Sequence, residues 1–238
     1  MSAARLTDDR LDPTWPEEVG AALAIGTLLI LSPLLRPWYW HWGATDAETG
    51  RPLPGDDLVP DPNLSTTRAV EIRAPAALVW PWLLQLGQGR GGLYSYTRLE
   101  NLAGCDIHNA SEVILACQSL KTGDVIRLAP GKAPFFEVAL IEPFRALVLR
   151  GGGPQVPGAS PPSWAFYLNE VCDNVTRLIA RYRMRYPSGA GHRIMWRGIM
   201  DPLFFVMERR MLLGIQQRAE RCARREMPLT RWQQGGME

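Results

Sequence analysis

The chain has 238 residues, 46% hydrophobic and 21% charged, a composition that excludes general disorder and fits one sizeable domain with an extension. Its net charge of +2 hides an asymmetry, because residues 1–65 hold 4 basic and 10 acidic side chains while residues 66–238 hold 22 basic and 14 acidic ones. A basic domain fits a place beside anionic lipid headgroups, and it also fits a solvated sheet face rich in arginine.

The N-terminal part of the sequence predicts a hydrophobic helix behind a short tail. Residues 1–18 form the tail, whose acidic side chains argue against a cleaved signal peptide, since signal peptides begin with basic residues. From Val19 to Leu35 the chain is uncharged and mostly apolar, and Arg36 and an aromatic cluster that ends at Trp42 follow. Tryptophan and tyrosine beside arginine are typical of a bilayer interface. We therefore predict a transmembrane helix over residues 19–42.

An alternative for this helix stays open. As a helix, the apolar run spans roughly 26 Å, slightly short of a hydrocarbon core of about 30 Å. It could instead pack on the domain or on another subunit. The basic residues on its two sides balance, so only the reducing pattern of the cysteines, described below, favours a single-pass protein whose domain is cytoplasmic. The sequence leaves the oligomeric state open.

Residues 43–65 are predicted to form an extended linker. This segment holds four prolines, three glycines and five acidic residues, and it has no apolar period. A domain over residues 66–225 follows, and residues 226–238 form a C-terminal tail.

The first half of the domain predicts one strand and a set of short helices. Thr67–Arg73 is the strand, and Ala74-Pro75 ends it because proline donates no hydrogen bond to a sheet. Ala76–Leu86 is apolar at nearly every position, which predicts a buried helix interrupted at its internal proline. Further helical segments are predicted at Tyr94–Leu102 and, with a serine as N-cap, at Ser111–Leu120.

The second half predicts a run of antiparallel strands. Four short ones are rich in β-branched or aromatic residues: Val125–Leu128, Phe135–Ile141, Ala146–Arg150 and Trp164–Val171. The clearest strand is Arg177–Tyr186, in which every second residue from Leu178 onward is apolar. Arg177, Arg181, Arg183 and Arg185 lie on the other face. Alternation of this length predicts one dry face and one wet face.

The last element is a long helix from about Pro202 to Arg225, with Asp201 as N-cap. Phe204, Met207, Met211 and Ile215 recur at spacings of three and four and form one apolar stripe. The order of elements predicts an α+β helix-grip fold, in which a curved antiparallel sheet packs on the long C-terminal helix. A cavity between the sheet and that helix is expected.

Particular stretches of the domain resemble the START-like superfamily, also called SRPBCC or polyketide cyclase/dehydrase. The stretches are VWPWLLQLGQGRGGLYSYTRLENLAGCDIH, DPLFFVMERRMLLGI, WGATDAE and LPGDD. They look like those of an uncharacterised actinobacterial-type subfamily that carries an N-terminal hydrophobic helix. The resemblance implies the helix-grip fold and an apolar cavity. It implies no reaction, because one fold hosts many functions.

Aromatic and methionine residues form the pool from which a cavity lining would be drawn, since such side chains adapt to apolar ligands. The pool is Trp80, Trp82, Tyr94, Tyr96, Trp164, Phe166, Tyr182, Met184, Phe204, Met207 and Met211.

The stretch from Gly87 to Gly92 contains a literal GxGxxG. A dinucleotide site would need a strand before it and a helix after it, and the preceding segment is helical. The stretch is therefore predicted to be a turn at the mouth of the cavity. Arg90 in that turn is a candidate partner for an acidic headgroup or a ligand carboxylate.

Asp106 and His108 are weak candidates for acid–base catalysis, because a carboxylate and an imidazole lie on one side of an extended segment. No nucleophile or third orienting group accompanies them, so a structural hydrogen-bonded pair is the alternative. No catalytic motif of a known hydrolase or protease is present.

Other kinds of site find no support in the sequence. The arginine face of the strand Arg177–Tyr186 lacks the stacking aromatics that nucleic-acid binding would need on the same face, so no nucleic-acid partner is predicted. Cys105, Cys117, Cys172 and Cys222 form no metal-binding or disulfide pattern and indicate a reducing compartment. We predict no metal and no cofactor.

Three functions follow as hypotheses. The leading one is the binding, carriage or sensing of a lipid-like or aromatic molecule in an internal cavity near the membrane. The alternative is a cyclase- or dehydratase-type enzyme acting on a polyketide-like or aromatic substrate. The third is a structural or regulatory membrane protein whose own side chains fill the interior.

Overall fold

The computed structural model describes residues 11–131, 133–153 and 157–234, with side chains described as far as Arg225. The N-terminal part holds helix α1 (Trp15–Trp40), the short helix α2 (Asp46–Gly50) and one 3-10 turn (Asp56–Leu58). Helix α1 starts four residues before the predicted apolar run, because Thr14 and Glu17 form a capping box at its N-terminus.

One antiparallel sheet of six strands dominates the described residues, in the spatial order β1-β6-β5-β4-β3-β2. The strands are β1 (Leu64–Ile72), β2 (Val125–Arg127), β3 (Phe135–Glu142), β4 (Ala146–Gly152), β5 (Ser160–Cys172) and β6 (Val175–Arg185). Helices α3 (Ala76–Leu84) and α4 (Thr97–Leu102) lie between β1 and β2. After β6 come α5 (Ala190–Arg193), a π-helix (Ile194–Met200) and the long α6 (Asp201–Gln234).

The concave face of the sheet is the dry face that the alternation in β6 predicts. Leu178, Tyr182 and Met184 are buried there and pair across to Val70, Thr66 and Leu64 of β1. Helix α6 crosses this face, and its stripe from Phe204 to Ile215 meets the sheet as predicted. The α+β helix-grip fold is confirmed.

The crossing of α6 requires a glycine at one point. A Cβ atom on Gly214 would overlap the backbone oxygen of Tyr94, in the segment before α4. Tyr94 itself has a φ of 56° and is fully buried. The close approach of helix and loop therefore excludes any side chain at position 214.

The outer face of the sheet is not solvated, and the prediction of a wet arginine face is wrong. Arg181 is buried and donates to the carboxylate of Asp56 and to the carbonyl oxygens of Glu48 and Arg51, at 2.7, 2.7 and 3.0 Å. Arg183 donates to the carbonyl oxygen of Val59. Because alternate residues such as Ile179 also lie here among small apolar side chains, this face has a second dry core.

The segment predicted to be an extended linker covers that face. Tyr167 of β5 donates to the carbonyl oxygen of Pro54, and Leu53 and Leu58 pack against the second core. Arg177 forms an ion pair with Glu48, its Nε lying 2.8 Å from Oε1. The arginines of β6 and the acidic residues of the segment neutralise each other, which explains the charge asymmetry of the sequence in part.

A helix is predicted at Ser111–Leu120, but the structure has only a 3-10 turn at Leu115–Cys117. The buried side chain of Gln85 explains the difference. It donates to the carbonyl oxygen of Glu112, which a helix would pair with the amide of Ala116, and it accepts from the amide of Ile114.

Helix α1 packs along α6, with Ala21, Leu28 and Tyr39 buried against the domain. Polar bonds hold both of its ends: the amide of Arg98 donates to Glu18, and the indole of Trp40 donates to Asp201 at 2.6 Å. Among the described residues, α1 is the one helix that is long and apolar enough to cross a membrane. Core helices of soluble proteins and signal sequences meet the same criteria of length and hydropathy.

Candidate ligand-binding cavity

A cavity of about 470 Å³ lies between the concave face of the sheet and α6. The segment from Leu93 to Cys105 and the π-helix form its remaining walls. The lining is mostly apolar, and its polar side chains are few: Thr66, Ser95, Glu100, Cys105, Asp201 and Glu208. The third hypothesis, an interior filled by its own side chains, does not fit a void of this size.

An aromatic group contributed by the sheet and by α6 forms one side of the cavity. The ring of Phe204 lies 4.8 Å from that of Tyr182 and 5.5 Å from that of Trp164, measured between centroids. Phe136 extends the group at 5.5 Å from Trp164. Tilted ring contacts at these distances make a firm wall for a flat or chain-like apolar molecule.

A buried ion network lies behind the aromatic wall. The Arg68 guanidinium is fully buried, and its Nη1 lies 2.5 Å from Oε2 of Glu208 and its Nη2 3.6 Å from Oδ1 of Asp201. Trp164 donates its indole N–H to Oε1 of Glu208 at 2.7 Å. Burial raises the pKa of Asp201, although the hydrogen bond from Trp40 and the charge of Arg68 act in the opposite direction. The network joins β1, β5, α1 and α6.

Glu100 is a buried carboxyl of a different kind. It lines the cavity from α4, is 6% exposed, and its Oε2 has no hydrogen-bond partner among the described residues. Burial and the nearby charge of Glu18 raise its pKa to about 7. Glu18 of α1 is 3% exposed and also has an unpartnered Oε2. The cavity therefore has one ionisable group that no described side chain neutralises.

Five of the residues predicted from the sequence line the cavity: Trp164, Tyr182, Phe204, Met207 and Met211. Met184 lines an adjoining pocket that shares Tyr182, Phe204 and Trp196 with the cavity. The others lie elsewhere. Trp80, Trp82, Tyr94 and Phe166 are buried in the main core, and Tyr96 faces a groove between α1 and α6.

The glycine-rich turn is not the mouth of the cavity. It is closed by a hydrogen bond from the amide of Gly87 to the carbonyl oxygen of Gly92, and Gln88 donates to Arg127 beside β2. Arg90 donates to the carbonyl oxygens of Leu84 and Cys117 at 2.8 and 3.1 Å. Because the backbone occupies its guanidinium, Arg90 has a structural role here and does not line the cavity.

Asp106 and His108 lie close together, with Oδ1 and Nε2 3.1 Å apart, but they are outside the cavity lining. The side chain of His108 is 81% exposed and that of Asp106 is 61% exposed. An exposed pair without a pocket around it lacks the enclosure that acid–base catalysis uses.

Sequence reasoning missed Arg68, Glu100 and Glu208. A signal existed for Arg68, because it shares a strand face with Val70 and Ile72, and a charge in an apolar row needs buried carboxylate partners. Glu208 lies seven residues after Asp201, two helical turns along α6, and both reach Arg68. No comparable signal marks Glu100. Among the described residues, no cluster of three metal-binding side chains occurs.

Neither a protein-family model nor a curated protein matches the sequence. Solved structures that resemble it include the Aha1 dimer of Colwellia psychrerythraea, at 14% identity and a TM-score of 0.39, over 66% of this chain and 96% of that one. A conserved protein of Geobacillus kaustophilus aligns at 19% identity and 0.38, over 66% and 96%. An aromatase/cyclase of a Streptomyces species aligns at 14% identity and 0.36, over 66% and 94%.

TM-scores this low carry no argument about the fold or the function. The fold assignment depends on the order of the elements and the topology of the strands. A strand, a pair of short helices, five further antiparallel strands and a long helix across the concave face make up that order. The described residues therefore have the helix-grip fold that the order of elements in the sequence predicts.

Proposed function

We propose that the protein binds and carries, or senses, a hydrophobic small molecule in the cavity beneath α6, at a membrane surface to which α1 attaches it. The cavity carries the proposal. Its volume of about 470 Å³ falls in the range of small-molecule sites, and its lining is aromatic and aliphatic with a few polar groups.

The membrane part of the proposal is supported by the outer face of α1. Leu23, Ile30 and Leu34 are 68%, 79% and 79% exposed, although each is strongly apolar. An exposed apolar face of this extent favours contact with lipid. The polar bonds at both ends of α1 favour attachment along the surface, because a separate transmembrane span would break them.

The enzyme alternative now depends on Glu100. A carboxyl with a pKa near 7 in an apolar cavity has the property that general acid–base catalysis uses. The described lining does place the thiol of Cys105 near Glu100, but burial and the charge of Glu100 raise the pKa of that thiol and so disfavour the reactive thiolate. Ligand binding is therefore the better supported function.

Ligand binding is tested on the full chain, purified in mild detergent after expression, by native mass spectrometry and by organic extraction. We expect a co-purifying apolar molecule in about equal molar amount. Leu203→Trp places an indole in the cavity wall and should remove most of this ligand. Leu102→Trp is the matched control, because Leu102 is 87% exposed outside the lining. Equal occupancy in both variants would contradict binding in this cavity.

A further inference from the structure

We infer that the cavity's ligand carries a cationic head group, such as a protonated amine, that binds at Glu100. This inference rests on the proposed function and adds the chemical class of the ligand to it. An apolar body would lie against Trp164, Tyr182 and Phe204, with the cationic group at the α4 end of the cavity.

The first step of the argument is the state of Glu100. Glu100 is 6% exposed and lines the cavity, and its Oε2 has no hydrogen-bond partner among the described residues. Buried polar atoms in native proteins are almost always paired, and an unpaired carboxylate oxygen is among the costliest exceptions. A ligand donor that enters the cavity would supply the missing partner.

The second step is the charge around Glu100. Glu18 approaches from α1 and has an unpartnered oxygen of its own, and the thiol of Cys105 lies nearby. Two buried carboxyls without a counter-ion attract a positive charge and repel a negative one.

The third step is that the described arginines near the cavity are engaged elsewhere. Arg68 is paired with Glu208 and Asp201, and the guanidinium of Arg98 lies over the ring of Trp15. The described lining contains three carboxyl groups and neither lysine nor arginine. Arg68 is an ion-pair partner of the other two carboxyls, and Glu100 is the carboxyl of the described lining that has no ion-pair partner, so it is the group left for a ligand cation. An organic cation fits better than a metal ion, since no cluster of three metal-binding side chains occurs among the described residues.

The test compares decylamine, decanol and decanoic acid, which share one chain length and differ in head group. Each displaces the neutral fluorophore N-phenyl-1-naphthylamine from the full, delipidated chain at about pH 8, above the pKa of Glu100. We expect decylamine to bind about tenfold more tightly than decanol, as charge-assisted hydrogen bonds exceed neutral ones, and decanoic acid to bind most weakly.

Glu100→Gln should weaken decylamine binding about tenfold and leave decanol binding within about twofold. Glu18→Gln serves as a second variant and should weaken the amine in the same direction, since it removes the second negative charge. Equal affinity for amine and alcohol, tighter binding of the acid, or an unchanged amine affinity in Glu100→Gln would overturn the cationic head group. Failure of the fluorophore and of all three probes to bind would instead overturn the proposed function.

Discussion

Buried charges around the cavity fall into two groups at the scale of single residues. The Arg68 guanidinium forms ion pairs with Glu208 and Asp201 and donates its Nε–H to the carbonyl oxygen of Tyr39, so each of these charges has a partner of opposite sign. Glu100 has no such partner among the described residues. Compensated buried charges hold elements in register, whereas an uncompensated one makes folding depend on pH.

Glu100 gives a prediction about stability. Its carboxyl has a pKa of about 7 in the fold, against a usual value of 4.5. Between these values the unfolded chain releases the proton while the folded chain keeps it, so stability falls as pH rises and the full loss is present above 7. The shift corresponds to about 3 kcal/mol. In the ligand-free protein, Glu100→Gln should therefore be more stable than the native chain at about pH 8, and equal to it near pH 4.

Urea unfolding across this pH range measures the effect. Glu112→Gln is the control, because Glu112 is exposed, and its stability should follow that of the native chain at every pH. An equal dependence of the unfolding free energy on pH in the native chain and in Glu100→Gln would contradict this prediction. It would show that folding does not raise the pKa of the Glu100 carboxyl.

The sequence marks these residues unequally. Arg68 could have been identified from the strand pattern, because period-2 alternation places it with Val70 on the buried face. Glu100 lies in the six-residue helix α4, and so short a segment has no apolar stripe that fixes its orientation. Its burial results from packing against α1, 80 residues earlier, and local sequence does not encode that contact.

At the scale of elements, the outer face of β6 is covered as far as Arg183, because the segment before β1 packs on its arginines. Arg181 alone donates to Asp56, Thr67 and three carbonyl oxygens of residues 48, 49 and 51. These bonds hold the covering segment in place, although its regular structure consists of α2 and one 3-10 turn.

Replacing Arg181 should therefore loosen the cover. Arg181→Met leaves several buried acceptors without a donor and should lower the free energy of unfolding by about 2–3 kcal/mol, measured by urea denaturation. Arg185→Met is the matched control two residues along the strand. Arg185 is half exposed and lies 3.7 Å from an exposed Asp61, so its loss should cost less than about 1 kcal/mol. Equal costs for the two variants would show that the cover adds no stability.

Long, regular elements were the ones predictable from sequence. The ten-residue alternation of β6 and the stripe of α6 each repeat often enough to fix both type and buried face. The alternation could not show what covers the arginines, because an arginine face has the same sequence pattern whether it contacts water or an acidic segment. The helix predicted at Ser111–Leu120 failed because Gln85, more than 25 residues earlier, takes its backbone groups.

At the scale of the whole molecule, α1 and the π-helix expose apolar side chains from two parts of the chain. The two helices are joined where Ser32 and Arg36 both donate to the carbonyl oxygen of Arg197. Ile194, Met195 and Ile199 of the π-helix are exposed, as are Leu23 and its neighbours on α1. Hydropathy alone does not distinguish a helix that crosses a bilayer from one that packs on a domain, which is why the sequence left both open.

Membrane attachment through α1 is measured by flotation with anionic lipid vesicles. The native chain should float, and the combined replacement Leu23→Gln, Ile30→Gln and Leu34→Gln should reduce the floating fraction strongly, since each apolar side chain contributes about 2 kcal/mol when buried. Leu115→Gln is the control, because Leu115 is 85% exposed in a separate loop. Undiminished flotation of the triple variant would contradict the role of this face. Resistance of the native chain to alkaline carbonate extraction would indicate a transmembrane span instead.

The π-helix has a consequence for how a molecule enters or leaves. Trp196 and Met200 form part of the cavity wall, while Ile194, Met195 and Ile199 of the same seven residues are exposed. Hydrogen bonding of this wide kind is rare and occurs mostly as single turns, often at functional sites. An apolar molecule that passes this turn moves from one apolar surface to another. If the turn contacts lipid, transfer of the molecule between the cavity and the bilayer avoids the free-energy cost of full hydration.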